Sequence, residues 1–394
     1  MRKLILVGLG ALVLWGLVGC ATKEATSLKI YVQQKLWDKA IAQGNQALLK
    51  TPDDGNTHYF LGVAYYGKDA DLKPEAPGYA DSSEKYLLKS YLHFTRAKKL
   101  SPGDWGKSAD DNIVSMFGRH YNRGVIATKK NDHTTAAMEY RLATLADPDN
   151  YKGYYAHAAA LLPLAVDAKS KDDDAKFMEL SGVVLEDLDK VIELKPTEKD
   201  EIVSAWQTRG EVLYKRGDIP AAQESYAKAV ELDPENYELM LTVGERYFNV
   251  NDYDNAANYF AQALGIQERL NLIEESDVEA YIALGTAYTK LGKRNEAIDA
   301  FEKALKIKPN DPIVMYNVMV SHYKTAETAE KEGKMDEAKA ACSKCITIGN
   351  DIMRIDAARP EVWQVRGYCK RIAGDTPGAA SDLKKFNELR QSSR

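Results

Sequence analysis

The chain has 394 residues, of which 45% are hydrophobic and 28% charged, and its formal net charge is −5. This composition is ordinary for a folded protein and excludes an intrinsically disordered chain. The acidic balance and the lack of a basic stripe also argue against nucleic acid as a partner, because such binding is driven by neutralisation of phosphates.

A short positive segment and an apolar run open the chain. Arg2 and Lys3 precede Leu4–Val18, a run of about fifteen residues that is too short to span a bilayer comfortably. Leu17-Val18-Gly19-Cys20 follows and resembles the lipobox of bacterial lipoproteins. The resemblance implies cleavage before Cys20, a diacylglycerol on its sulfur and an acyl chain on the new amine. The alternative is an ordinary signal peptide with a coincidental cysteine.

The same resemblance leads to an expectation about location. Two or more acyl chains anchor a protein stably where one chain would not. Ala21 stands where a signal for retention in the inner membrane would have Asp. We therefore expect a lipid-anchored protein of the bacterial cell envelope, held at the outer membrane and facing the periplasm, with residues 1–19 removed as a signal peptide.

Residues 20–200 show helical repeats that are interrupted by extra segments. Lys23–Gln34 and Leu36–Thr51 predict a first helix pair close behind the anchor. Lys68–Ser82 contains proline and glycine, so it is interpreted as an insertion between the helices of the second pair. Asp104–Met116 is interpreted as extra residues before the first helix of the third pair.

The most regular part of the chain is residues 201–310, where one pattern of large, small and aromatic residues occurs three times. The copies contain Trp206, Gly210, Tyr214, Ala222, Tyr226, Ala229 and Pro234; Gly244, Tyr247, Tyr253, Ala256, Phe260 and Ala263; and Tyr281, Gly285, Tyr288, Ala297, Phe301, Ala304 and Pro309. The first two copies begin about 34 residues apart, and the pattern resembles the tetratricopeptide repeat.

Each half of a repeat has apolar residues at i, i+3, i+4 and i+7, which predicts an amphipathic helix. One pair cannot bury its own apolar face, so the pairs are expected to stack. Small residues are expected where two helices touch, with Gly210 facing Ala222. The predicted fold class is all-α, and the resemblance implies a right-handed superhelix of about nine helix pairs that ends in weaker repeats and a capping helix over residues 311–394.

Three of the four cysteines lie in that last segment. Cys342 and Cys345 form a CxxC within a predicted helix, and Cys369 lies in the next repeat. Cys345 occupies a place that other copies fill with a core alanine, which favours small buried hydrophobic residues. A disulfide between Cys369 and one of the pair is an alternative, because an exported protein meets an oxidising compartment. Redox or metal chemistry is a third alternative, weakened by the lack of a fourth ligand.

The resemblance also implies a binding groove along the first helix of each pair. Its residues occupy about the second, fifth, ninth and twelfth places of a repeat. Carried onto this sequence, they are Ser204, Gln207, Glu211 and Lys215; Glu238, Leu241, Glu245 and Phe248; and Glu279, Ile282, Thr286 and Thr289. Leu241, Phe248 and Ile282 would form an apolar strip able to dock a peptide, unless a neighbouring segment covers it.

No cofactor, metal or catalytic residue is expected. The six histidines show neither HExxH nor HxH spacing, and Asp172-Asp173-Asp174 lacks the glycine and distal glutamate of a calcium loop. The sequence therefore predicts a scaffold that is not an enzyme and that holds other envelope proteins at a membrane. A glycan- or other ligand-binding lipoprotein is the alternative, and exposed aromatic residues gathered on the insertions 68–82 and 168–176 would favour it.

Overall fold

The computed structural model describes residues 23–194 and 198–392. Within these ranges it contains 18 α-helices and no strand, which confirms the all-α prediction and the number of helix pairs. The helices divide after Val212 into two compact units. The predicted signal peptide and lipobox, including Cys20, lie outside the described residues. Among the helices that are described, none combines the length and the apolar character needed to cross a bilayer.

The first unit contains eight helices and most of a ninth, which continues into the second unit. Their bounds are α1 Lys23–Gln33, α2 Trp37–Lys50, α3 Gly55–Ala70, α4 Tyr79–Leu100, α5 Asp104–Lys129, α6 His133–Ala146, α7 Tyr151–Ser170, α8 Asp174–Leu194 and α9 Lys199–Arg216.

The second unit begins within α9 and contains the remaining helices of the described chain. Their bounds are α10 Ile219–Leu232, α11 Tyr237–Asn249, α12 Tyr253–Leu270, α13 Asp277–Lys290, α14 Arg294–Ile307, α15 Pro312–Lys331, α16 Met335–Ile355, α17 Pro360–Ala373 and α18 Thr376–Ser392. The division of the sequence at residues 200 and 310, which rests on the regularity of the repeats, stays a prediction.

Local sequence explains where many of these helices begin and end. Asp132, Asn236 and Asp252 cap α6, α11 and α12, because each side chain accepts a hydrogen bond from the backbone N–H three residues later. Turns between paired helices contain residues with positive φ, such as Gly217 at 85° and Asn251 at 62°. Glycine and asparagine adopt this conformation at low cost, so the turns are set by the local sequence.

In several helix pairs a glycine of the first helix lies under an aromatic ring of the second. The expected contact between Gly210 and Ala222 stays a prediction. A Cβ atom on the glycine would come within 2.6–2.8 Å of the ring in the pairs Gly124–Tyr140, Gly244–Phe260 and Gly285–Phe301. Each ring needs the space above a residue without a side chain, so these glycines serve packing.

Of the two predicted interruptions in the first unit, the structure contains the first and lacks the second. Residues 71–78 lie between α3 and α4, as expected for an insertion, whereas the two ends of Lys68–Ser82 belong to these helices. Tyr79 at the start of α4 is only 4% exposed and fixes that helix in the core. The prediction was wrong for the second interruption. Asp104–Met116 belongs to α5, which runs unbroken for 26 residues. Ala109 and Ile113 continue its buried stripe, so packing lengthens the helix beyond the usual repeat.

Candidate functional site

The predicted groove positions of the second unit lie on α11 and α13. Leu241, Phe248 and Ile282 are half-buried, whereas the neighbouring core residues Met240 and Val243 are 2% and 0% exposed. The three apolar side chains therefore keep some surface in contact with solvent. Predicted neighbours on the same helices have different exposures: Glu245 and Thr289 are exposed, and Thr286 is half-buried.

Part of the surface of Leu241 and Phe248 is covered by other residues of the second unit. Leu241 packs against a buried cluster that includes Met240, Ala263 and Ile266. The ring of Phe248 lies edge-on to Tyr253, with 5.3 Å between the ring centres. A partner would therefore contact the outer edges of these side chains rather than an unoccupied pocket.

The two threonines of the predicted groove are satisfied by their own helix. The Thr286 hydroxyl donates to the Ile282 carbonyl at 2.7 Å, and the Thr289 hydroxyl donates to the Gly285 carbonyl at 2.8 Å. A hydroxyl can still accept a hydrogen bond while it donates one. These residues can therefore accept a hydrogen bond from a ligand without breaking their own.

The groove positions on α9 fall on both sides of the division between the units. Gln207 and Glu211 belong to the first unit and are half-buried, while Lys215 belongs to the second and is exposed. A groove that includes these residues together with those of α11 and α13 stays a prediction.

The segments that would favour glycan binding do not gather exposed aromatic residues. The only aromatic residue of segment 68–82 is Tyr79, which is buried, and segment 168–176 has none. The feature named as favouring the glycan-binding alternative is therefore missing from both segments.

The cysteines of the second unit lie together in a hydrophobic core. Cys342, Cys345 and Cys369 are each fully buried and free, in a cluster that includes Met319 and Ile352. The interaction with Cys369, and then burial, raise the pKa of the Cys342 thiol. The thiols behave as core residues in this structure, and a disulfide among them stays a prediction.

A buried polar cluster in the first unit joins four helices, and the sequence analysis missed it. Asp69 of α3 and Glu139 of α6 lie on opposite sides of the His120 ring of α5, which is 0% exposed. His120 Nε2 is 3.1 Å from an Asp69 oxygen, and His120 Nδ1 is 2.7 Å from a Glu139 oxygen. Ser83 of α4 donates a further hydrogen bond to Asp69, and Tyr79 donates one to Glu139.

This geometry defines the charge of His120. Both ring nitrogens face carboxylate oxygens, and an ionised carboxylate only accepts hydrogen bonds, so both nitrogens carry a proton when Asp69 and Glu139 are ionised. Burial alone would lower the pKa of His120, but the hydrogen bonds and negative charges of Asp69 and Glu139 outweigh it and raise the pKa. The cluster is therefore an imidazolium held between two carboxylates, and it joins the second helix pair, α3–α4, to the third, α5–α6.

A signal for this cluster was present in the sequence. His120 continues the apolar stripe of α5 at the spacing set by Ile113 and Met116, and Glu139 adjoins the buried Tyr140 of α6. Polar residues at core positions of two neighbouring helices indicate that they pair with each other. Within the described ranges no group of three or more His, Cys, Asp or Glu residues is arranged to hold a metal ion.

Comparison with known proteins identifies the repeats. Residues 203–236, 278–311 and 321–350 each match the tetratricopeptide repeat. The chain therefore contains tetratricopeptide repeats, and its fold is an all-α tetratricopeptide-repeat solenoid. Repeats of this type generally mediate interactions between proteins.

The chain is also similar to several longer proteins. It is 22% identical over 315 residues to the TPR repeat-containing protein MJ1428 of Methanocaldococcus jannaschii, covering 68% of this chain and 51% of the relative. It is 25% identical over 265 residues to DnaJ homolog subfamily C member 3 of Rattus norvegicus, covering 65% and 47%. The chain thus spans about half the length of these curated relatives.

Among solved structures, one similar protein is the C-terminal part of a TPR repeat-containing protein from Cytophaga hutchinsonii. It shows 18% identity and a TM-score of 0.45, covering 68% of this chain and 95% of that one. YrrB, described as a TPR protein with an unusual peptide-binding site, shows 18% identity and a TM-score of 0.38, covering 52% and 92%.

Proposed function

We propose that this protein is an interaction scaffold of the bacterial cell envelope, anchored to a membrane through lipid on Cys20, and that it docks segments of other envelope proteins. The observation that carries the proposal is that Leu241, Phe248 and Ile282, the residues of the predicted strip on the first helices of two repeats, are half-buried and keep some surface in contact with solvent. Apolar groups that keep contact with water in a helical-repeat protein provide area that a docked segment can cover.

The charges around this strip favour a particular kind of segment. Glu238, Glu245 and Glu279 are exposed on the same two helices, and none of them forms an ion pair within the described residues. A segment with apolar side chains and flanking basic residues would bury the strip and meet these carboxylates. Opposite charges at the rim of an interface mainly increase the association rate and the specificity.

The docking proposal is tested by crosslinking and affinity capture from native membranes. The variant carries Leu241→Glu, Phe248→Glu and Ile282→Glu, and the matched control carries Leu270→Glu, Leu272→Glu and Ile313→Glu. The three control residues are 52–57% exposed, so the control adds the same charge to other apolar surface of the second unit. Circular dichroism checks that both proteins fold.

We expect one envelope protein, identified by mass spectrometry, to be captured by the wild type and the control and lost with the strip variant. Equal capture by all three proteins would contradict the assignment of the strip. Loss with both variants would show that general surface charge, and not the strip, controls capture.

The anchor is tested separately with Cys20→Ala. If Cys20 is lipidated, intact-mass spectrometry shows the wild type cleaved before Cys20 and carrying the mass of the lipid, whereas the variant lacks that mass and keeps its apolar N-terminal run, because its lipobox has no cysteine. A wild type without the mass of the lipid, or a variant cleaved like the wild type, would refute the anchor while leaving the docking proposal intact.

A further inference from the structure

Two cavities flank α14 in the second unit, away from the strip on α11 and α13. One of about 380 Å³ is bounded by α12, α13 and α14, and the other of about 360 Å³ is bounded by α14, α15 and α16. Asn295 and Asp299 line both cavities, so α14 forms their common wall. Volumes of this size suit a side chain or a small ligand.

The second cavity contains a buried histidine without a partner. His322 of α15 lines the cavity and is only 7% exposed. It makes no hydrogen bond to any residue that the structure describes. Burial, and then the charge of Lys344, lower the pKa of His322, so the ring is neutral at neutral pH and one nitrogen is an acceptor. A ligand that donates a hydrogen bond can therefore use this acceptor nitrogen.

The wall of this cavity carries unpaired negative charge. Asp299 and Glu302 are three residues apart on α14 and therefore share a face of the helix. Both line the cavity, both are exposed, and neither forms an ion pair within the described parts of the chain. Lys344 of α16 is the only basic residue in the described lining. The lining therefore offers two carboxylates and one neutral acceptor nitrogen to a cation.

The adjoining cavity already holds a cation in a comparable setting. Lys303 Nζ lies 2.8 Å from Glu268 Oε1 and 5.8 Å from the centre of the Tyr281 ring. The Tyr281 hydroxyl donates to the same carboxylate at 2.6 Å. This arrangement places an amine next to a carboxylate and a neutral ring. The His322 cavity has the same two kinds of group, with two carboxylates and one lysine, Lys344, in its lining.

We propose that the cavity formed by Asp299, Glu302 and His322 binds an arginine side chain presented by a segment of a partner protein that crosses α14. A guanidinium group has five N–H donors and no acceptor. It can donate to both carboxylates and to His322 at once, which a point-like ammonium does less completely. Charge complementarity disfavours an anionic ligand, because two carboxylates line the site against one lysine.

The test uses a peptide probe, acetyl-Gly-Arg-Gly-Arg-Gly-amide, and the same peptide with citrulline in place of arginine. Citrulline keeps the shape of the side chain and removes its charge. Fluorescence anisotropy gives the affinity of the labelled peptides for the protein. In the proton NMR spectrum, the Cε1–H signal of His322 is assigned as the histidine signal that is missing from His322→Gln. This signal reports on the lining of the cavity.

The key variant is Asp299→Asn with Glu302→Gln, and its matched control is Asp336→Asn with Glu361→Gln. The control residues are exposed carboxylates of α16 and α17 outside the cavity, so the net charge changes equally. We expect the key variant to weaken arginine-peptide binding by about tenfold or more and the control by less than about twofold. The arginine peptide should shift the His322 signal of the wild type. The affinity of the wild type for the citrulline peptide should be as low as the affinity of the key variant for the arginine peptide.

Several results would overturn this proposal. They are absence of arginine-peptide binding, equal weakening in the two charge variants, equal affinity for citrulline, and an unmoved His322 signal. Sedimentation that shows self-association abolished by the key variant would make a second copy of the chain the occupant. The strip variant Leu241→Glu, Phe248→Glu, Ile282→Glu should bind the arginine peptide normally, so failure of this proposal and failure of the groove proposal are distinguishable.

Discussion

Replacement of His120 by Ala should be among the most destabilising single changes in the first unit. It leaves Asp69 and Glu139, which are 0% and 1% exposed, facing each other without the intervening cation. Removal of one partner from a buried ionic group costs about 3–5 kcal/mol, because the remaining charge has lost its compensation. Since the net stability of a domain is about 5–15 kcal/mol, this is a large share.

The measurement is amide hydrogen exchange of α5 and α6, followed by mass spectrometry, which reports the free energy of opening of these helices directly. The matched control is His133→Ala, which removes a half-buried histidine of α6 outside the cluster and should cost about 0.5 kcal/mol or less. A triple change of Asp69→Asn, His120→Leu and Glu139→Gln removes all three charges together and should cost less than His120→Ala alone.

The pH dependence gives an independent check with a defined sign. The pKa of His120 is raised in the folded state, so the stabilisation is complete below the unfolded pKa of about 6.5 and is lost as pH rises through the folded pKa. The free energy of opening of α5 should therefore fall with rising pH above about 6.5 in the wild type and change less in the triple variant. A His120→Ala protein as stable as the His133→Ala control, or an identical pH slope, would refute the charged assignment.

Two further predictions concern packing and acid sensitivity. Gly244→Ala should destabilise the second unit by about 1–3 kcal/mol relative to Gly265→Ala. Both changes raise helix propensity, but only Gly244→Ala places a Cβ atom 2.8 Å from the Phe260 ring. Equal unfolding midpoints of the two variants in urea would contradict this prediction. Burial, and then the charge of His58, lower the pKa of His93 to about 4, so the stability of the fold should decrease as pH drops from about 6.5 towards 4. His93→Phe keeps a ring next to Tyr65. In thermal melts measured at several pH values, this variant should show a smaller decrease in melting temperature than the wild type.

The regular repeats could be predicted because the residues that determine their helix ends and turns are close together in the sequence. Capping residues such as Asp252 and Asn236, and turns with Gly217 or Asn251, act through hydrogen bonds and backbone angles within a few residues. The apolar period then shows which face of each helix is buried. These signals predicted the helix pairs and their number, although they did not show that several glycines pack under an aromatic ring of the paired helix.

The candidate interaction surfaces were only partly predictable. The resemblance to a repeat family directed attention to Leu241, Phe248 and Ile282, and the structure shows them half-buried. The cavity at His322 had no local signature, because its walls come from α14, α15 and α16 and its properties arise from missing partners. A pattern read along one helix cannot show that a neighbouring helix leaves a polar group unpaired.

The sequence by itself determined an all-α array of helix pairs, the places where the chain turns, and the core position of the CxxC cysteines within a helix. Only the tertiary structure decided that α5 is one long helix, that His120 is charged between Asp69 and Glu139, and that a cavity separates α14 from α16. The physical reason is the sequence separation of the interacting residues. Apolar periodicity and turns depend on residues a few positions apart, whereas His120 contacts a carboxylate 51 positions away, and that contact depends on how the helices pack.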